Sequence, residues 1–456
     1  MSLPRWTAYP ALGVLGLFLL TAVPRRTSDE VPAKTKYERV VVLGIDGLDP
    51  EILAEVVERF PERMPNFIKL IEEGGIHSLG TSIPPQSPVA WSNFITGRDP
   101  GGHGIFDFIH RDPVTRGPIG STSKTEAGSH LSLWGDWQFP LGGASESNRS
   151  GRSFWEVLAE NDIPADIWRM PANFPVEPSK GVSFPGMMTP TLESAYGTYI
   201  VYTTDPPVET QRSGGRYVSV RNFDGVISTR VEGPANPFKE GNPQDSVPLV
   251  IYVDEEAGAA AIQIDGGSPL VADVGEWTDF TSVDFELLPM GSVLPGGQMT
   301  GTVRFFVRSL APEFQMYMSP VNFDPMAPAT PMSEPSTASE DLAAAIGFYY
   351  TQGMAEEVNA LKDGAISEED FIDQAGLVYD ERVRMMDYAL DRYLENEEGG
   401  LLFFYYSTVD LCCHMLWDHF DERHPFHRAA IARGSTERWT ERAGSTWKDV
   451  VYDLYM

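Results

Sequence analysis

The sequence predicts an α/β fold: a doubly wound, mostly parallel sheet interrupted by an all-β insertion. Three observations carry that prediction. The runs RVVVLGI at 39–45, ADIWRM at 165–170 and LLFFYY at 401–406 are short and almost continuously apolar, as strands covered on both faces of a parallel sheet are. Stretches with apolar residues at helical spacing alternate with them. From about residue 203 to 325 the pattern changes to short alternating runs punctuated by Gly, Pro and Asn, and helical signals resume afterwards.

Composition agrees with a large folded enzyme or binding protein. The 456 residues suffice for two or three domains at roughly 150 residues each, or for one large domain with an insertion. Hydrophobic residues at 42% and charged residues at 22% exclude fibrous and wholly disordered classes. Lys+Arg 34 against Asp+Glu 65 gives a formal charge of −31, which repels phosphate backbones, so nucleic acid is not expected as a main partner. The cysteines Cys412 and Cys413 are adjacent and suit no disulfide, so a metal here would be held by Asp, His, Glu or hydroxyl groups.

The elements follow in order. Residues 1–36 contain an apolar run from Ala8 to Val23, about 16 residues, flanked by Arg5 and by Arg25 and Arg26. That is long for a signal-peptide core and short for a membrane span. The segment predicts export, to the periplasm or to the outer face of the cytoplasmic membrane if the N-terminus stays as an anchor. Residues 37–202 are expected to form the first part of an α/β domain. The strand at 39–45 ends at Asp46-Gly47, and the helical patterns PEILAEVVERF and MPNFIKLIEEGG follow, the second closed by Gly74-Gly75. SFWEVLAEN reads as a helix before the strand at Ala165. Residues 203–325 form the β-rich insertion, with YVSVRNF, PLVIYVDE, AAIQID, TDFTSVDFELL and GTVRFFVRSL as its strands.

Residues 326–456 return to helical sequence and the rest of the α/β domain. Two helical stretches, 339–364 and 367–398, open with Thr337/Glu340 and Ser367/Asp370 at capping spacing. The strand LLFFYYSTVD then ends in Asp410, and WKDVVYDLYM reads as a final helix.

Asp46 and Asp410 thus stand just past the C-terminal ends of two apolar strands, the edge at which open α/β sheets bind ligands. Either one alone reads equally well as a helix N-cap. His414 follows Asp410 by one helical turn, an arrangement suited to a divalent metal. Ser87-Pro88 reads as an N-cap with proline at the first helical position, and the helix N-terminus there favours an anion. Ser87 is therefore a cap or, beside a metal, a nucleophile aimed at a phosphate.

GIDGLDP at the first strand end, a hydroxyl residue opening a helix that ends in Thr96-Gly97, the DPGGHGI that follows, and Asp410 with His414 together resemble the type I phosphodiesterase/nucleotide pyrophosphatase branch of the alkaline phosphatase superfamily. The resemblance runs over 38–200 and 340–456 and includes PPQSPVAW, similar to bacterial members carrying that phrase. It implies an alkaline phosphatase-like fold and a metal-dependent hydrolase of phosphodiesters or phosphomonoesters, acting on a small phosphate ester through a phosphoserine. By the same resemblance Asp46 is a ligand of the metal nearer the nucleophile, Ser87 the nucleophile and a metal contact, and Asp410 and His414 ligands of a second metal. Two divalent ions, zinc by preference, would clamp the reacting oxygens. His103 belongs to a structural turn, and His110, His419, His424 and His427 read as surface or supporting residues.

The chain also departs from the family. Phe108 stands where nucleotide pyrophosphatases have an asparagine on the phosphoryl oxygens, leaving Asn93, Arg98, Arg111 and Arg169 as candidate donors. The family's Asp-His-Gly strand end and later histidine are not found, so the 456 residues are expected to be an incomplete copy that binds metal weakly. The competing reading is a catalytically impaired, exported binding or scaffold protein that keeps the fold and uses the β-rich insertion as its interaction surface. A sulfatase is disfavoured because no arginine follows Ser87 at the required place, and a mutase-like isomerase because of the export segment.

Overall fold

The computed structural model describes residues 35–126, 128–193, 197–208, 214–293, 296–433 and 449–456. The expected export or anchor segment falls almost wholly before residue 35 and lies outside the described residues. Among the described residues, no helix is long and apolar enough to cross a membrane.

Strands β1 (Arg39–Ile45), β2 (Ala165–Met170), β3 (Ser183–Pro185) and β4 (Gly400–Tyr406) form one sheet in the order β1-β4-β2-β3. All neighbouring pairs are parallel. β1 and β4 pair from Arg39 opposite Gly400 to Ile45 opposite Tyr406, so their C-terminal ends are level. β2 is buried along its whole length, its charged Asp166 and Arg169 included. β1 differs from the sequence expectation. It is an edge strand, with Val40, Val41 and Leu43 exposed at 46%, 45% and 51%.

Local chemistry explains the helices around this sheet. Helix α1 (Pro50–Arg59) starts after Asp49, whose carboxylate accepts from the Glu51 and Ile52 amides, a cap worth about 1 kcal/mol. It turns Leu53 and Val56 inward. Helix α2 (Pro65–Gly74) stops where Gly75 takes φ 82, a conformation glycine adopts without strain. Helix α3 (Ser87–Thr96) ends at the left-handed Gly97, and α4 (Phe154–Glu160) is capped by Ser153. Further on, the expected capping box of Ser367 and Asp370 opens the 28-residue helix α7 (Glu368–Glu395), named after the two shorter helices that precede it. Its buried Phe371, Ala375, Val378, Met385 and Ala389 recur at helical spacing on one face.

The stretch 339–364 is not one helical block. Helix α5 (Ala338–Ile346) ends at Gly347, helix α6 (Val358–Lys362) is short, and residues 347–357 between them are irregular. Thr337 makes no side-chain cap. Buried side chains from elsewhere impose this path. Arg169 donates to the carbonyls of Tyr350, Gln352 and Gly353 at 3.2–3.3 Å, and the Glu381 carboxylate accepts the Tyr350 amide at 3.1 Å. These bonds replace the helical ladder that local propensity would have built.

The β-rich part contains three antiparallel or mixed sheets. One of them joins Gly215–Ser219, Tyr199–Thr203, Gln315–Met318 and Phe305–Ser309. It separates two cores because side chains alternate across it. Ile200, Tyr202, Phe305 and Met316 face the β-rich core, whereas Tyr199, Val201, Phe306 and Tyr317 pack with residues of α1, α7 and helix α8 (Thr408–Phe420). Residues 109–147 add three small two-stranded ribbons that the sequence pattern did not assign, since their strands of three or four mostly polar residues carry little alternation to read. The protein is a mixed α/β structure with one parallel sheet and several antiparallel ones.

Candidate active site at the ends of the parallel strands

Asp46 is the first residue past β1, and its amide donates to the Tyr406 carbonyl at the end of β4 at 3.0 Å. Its carboxylate is half-buried, and Oδ2 accepts a 2.8 Å hydrogen bond from the Tyr405 hydroxyl. Tyr405 is itself buried against Trp91, with ring centroids 5.2 Å apart at 89°. Trp91 belongs to α3 and also lies over Gly44, where an added Cβ would meet its ring at 2.6 Å. The glycine therefore permits the close seating of α3 on β1, with Ser87 one helical turn before Trp91.

β4 ends at Tyr406, and Asp410 stands in the first turn of α8 rather than at the strand end itself. Gly47 has φ 72, and a Cβ there would approach the Asp410 Cα to 2.7 Å, so the loop after β1 touches α8 directly. This contact brings Asp46 and Asp410 together. His414 presents Nε2 3.6 Å from Asp410 Oδ2. Burial, joined by the negative charge of Asp46, pushes the Asp410 carboxyl up to about 6, with His414 acting in the opposite direction and Glu356 adding to the rise. Two close carboxylates with an imidazole, and no lysine or arginine paired with either among the described residues, fit a divalent cation by charge and donor type.

Ser87 is placed differently from the other three. It is the first residue of α3, with Gln86 in the capping position, which corrects the N-cap expectation by one residue. No hydrogen bond or ion pair among the described residues joins it to Asp46, Asp410 or His414. Nor is any group of three or more His, Cys, Asp or Glu side chains arranged around a metal position among those residues. The expected two-ion site of Asp46, Ser87, Asp410 and His414 is thus not preassembled.

The remaining expectations sort by burial. His103 is fully buried, with Nε2 2.7 Å from the Asn93 side-chain amide and Nδ1 accepting from the Ile105 amide. It therefore belongs to its turn. The same contact commits Asn93, and the backbone carbonyls it serves commit Arg169, so neither is free for a phosphoryl oxygen. Arg98 and Arg111 remain exposed. His419 is no surface residue: it is buried and lies 3.2 Å from Glu368. Burial pushes the Cys413 thiol up to about 12 and the Cys412 thiol well above its ordinary value, so neither offers a thiolate.

Sequence reasoning missed two neighbours of the site, Tyr405 and Glu356. Glu356 is buried and accepts from the Ser407 hydroxyl at 2.9 Å and the Thr408 hydroxyl at 2.8 Å, which anchors the start of α8. No local signal marks either residue, since both act on partners distant in sequence.

No curated protein and no solved structure matches the chain. Residues 40–244 match the family described as type I phosphodiesterase / nucleotide pyrophosphatase, and that span includes Asp46 and Ser87 but not Asp410 or His414. The match continues past residue 200, where the resemblance read from motifs stopped. The family is hydrolytic, acts on small phosphate-ester or nucleotide substrates and is generally dependent on divalent metal. Over residues 40–244, then, the chain is similar to the type I phosphodiesterase / nucleotide pyrophosphatase family, a family of the alkaline phosphatase superfamily.

Proposed function

We propose that the protein is a metal-dependent hydrolase of small phosphodiesters or phosphomonoesters that works through a phosphoserine on Ser87. One arrangement supports this above all: Asp46, the first residue past β1 and within the family-matched span, stands beside Asp410 and His414 on α8, the helix that follows the adjacent parallel strand β4. On this reading two zinc ions would be held, one by Asp46 and Ser87 and the other by Asp410 and His414, and their charge would lower a hydroxyl pKa and neutralise phosphoryl oxygens. Ser87 Oγ gives up its proton and attacks phosphorus. The Oγ–P bond forms as the bond to the leaving oxygen breaks, the leaving oxygen takes a proton, and water then hydrolyses the phosphoserine. The positive end of the α3 dipole favours the phosphoryl anion beside Ser87.

The same reading makes the parallel sheet the centre of a doubly wound, alkaline phosphatase-like domain of 37–202 and 326–456, with 203–325 inserted. Residues 1–36 would direct the chain out of the cytoplasm as a leader or an anchor. The test is Ser87→Ala, assayed with p-nitrophenyl phosphate and bis-p-nitrophenyl phosphate in zinc-supplemented buffer. Turnover and covalent labelling by phosphate should both vanish, and unchanged turnover would remove Ser87 as nucleophile. A second reading, an exported binding or scaffold protein without catalysis, is favoured by the unassembled metal position. Wild-type protein inactive on both esters at saturating zinc would select it.

A further inference from the structure

Helix α8, which carries Asp410 and His414, does not open as its sequence would allow. Ser407 stands in the capping position, yet its side chain caps nothing and its backbone is helical, at φ −102 and ψ −22. A serine there ordinarily keeps an extended backbone and offers its hydroxyl oxygen to an amide of the first turn. Here the hydroxyl donates to Glu356 instead, at 2.9 Å to Oε1 and 3.3 Å to Oε2. The hydroxyl of Thr408, the first helical residue, donates to the same Oε1 at 2.8 Å.

Glu356 is 2% exposed, and burying a carboxylate is costly unless partners replace its hydration. The two hydroxyls and the positive end of α8 supply them. The carboxylate is also close to the metal-site acid: behind burial and the charge of Asp46, the charge of Glu356 adds to the rise of the Asp410 carboxyl.

The backbone of Glu356 is fixed on both sides. Gln374 of α7, fully buried, donates from Nε2 to the Ala355 carbonyl at 2.8 Å and accepts the Glu357 amide on Oε1 at 3.1 Å. A few residues earlier, Arg169 of β2 holds the carbonyls of Tyr350, Gln352 and Gly353. Arg169 itself has φ 58, a conformation that costs energy in a residue with a side chain and persists where its surroundings enforce it. A continuous buried path thus runs from β2 and α7, through Glu356, to the first turn of α8.

We propose that Glu356 is a positioning residue for the metal position of Asp410 and His414: by holding the Ser407 and Thr408 hydroxyls it sets where α8 begins, and so where both donors of that helix stand. This deepens the metal-dependent reading and rests on it. Glu356 is no ligand in this role, since both of its oxygens already accept from hydroxyls.

The test titrates zinc calorimetrically into chelator-treated wild type, Glu356→Ala, Glu356→Gln and Thr408→Val. Affinity should fall by about tenfold or more in Glu356→Ala, the scale of losing a group that orients a ligand, and fall also in Thr408→Val. Glu356→Gln keeps the reach and an acceptor oxygen and should recover most of the loss. The double variant Glu356→Ala/Thr408→Val should bind no more weakly than Glu356→Ala, because the two changes break one contact. Visible absorption of the cobalt(II) protein, which follows ligand geometry, should change in Glu356→Ala and return in Glu356→Gln. Ser367→Ala, which breaks the capping box of α7, is the control: it should lower the melting temperature and leave zinc affinity and the cobalt spectrum as they are. Thermal melting verifies folding, and the nearly isosteric Thr408→Val carries the test if Glu356→Ala does not fold. A wild type that binds no zinc would overturn the metal-dependent reading and this inference together. Zinc bound equally by wild type, Glu356→Ala and Thr408→Val, or an equal loss in Ser367→Ala, would overturn the inference alone.

Discussion

The Tyr405 hydroxyl donates to Oδ2 of Asp46 across 2.8 Å, tying the next-to-last residue of β4 to the first residue past β1. Burial, reinforced by the Asp46 charge, holds the phenol far above its ordinary range, so Tyr405 remains a donor. The bond leaves Asp46 Oδ1 as the oxygen available to a cation. Tyr405→Phe removes this restraint while keeping the ring against Trp91. Zinc affinity should fall by roughly tenfold or more, the usual consequence of losing a bond that orients a ligand. Calorimetric titration of both proteins checks it, and equal affinities would exclude Asp46 from the donor set.

Two glycines near the site should respond differently to alanine. At Gly44 the new methyl meets the Trp91 ring at 2.6 Å and Phe403 at 3.0 Å, which is overpacking of a core and should cost about 1–3 kcal/mol in urea unfolding. At Gly47 the methyl meets the Asp410 backbone at 2.7 Å and the residue is also held at φ 72, a strain of about 1–2 kcal/mol. Gly47→Ala must therefore part the β1 loop from α8. It should weaken zinc binding more than Gly44→Ala does, and the opposite order would show that the Asp46–Asp410 contact is not what gathers the donors.

Much of this arrangement was legible in the sequence because it is local. The run ADIWRM is a fully buried strand, Ser367 with Asp370 caps α7, and Asp410 with His414 keeps its one-turn spacing. What could not be read is set by distant partners. Residues 347–357 have helical composition, yet Arg169 and Glu381 capture their backbone groups. The exposure of β1 follows from sheet order, which a valine run does not encode. Tyr405 looks like one more core aromatic until Asp46 is placed beside it.

The last turn of the described chain also supports the site. Helix α9 (Val450–Tyr455) places the Tyr455 hydroxyl so that it accepts from the Asp49 amide at 2.9 Å and donates to the Gly47 carbonyl at 2.8 Å. Tyr455→Phe leaves two backbone groups of the Asp46–Asp49 loop without that partner, a loss of about 1–3 kcal/mol if water does not replace it. Hydrogen exchange at the Asp49 amide should accelerate selectively. Unchanged exchange would mean that α9 does not brace the loop.

Stability should decline as pH rises from 5 to 8. Burial pushes the Glu357 carboxyl up to about 8 and the Glu193 carboxyl up to about 7, both from an ordinary 4.5. The folded state binds these protons more tightly than the unfolded chain. Their stabilising contribution is therefore complete below about pH 4.5 and is lost as pH rises through 7 for Glu193 and 8 for Glu357. Glutamine at either position has no proton to lose, so Glu357→Gln and Glu193→Gln should each flatten the fall in melting temperature between pH 5 and 9. A slope that survives Glu357→Gln unchanged would show that this buried acid is not a source of the pH dependence.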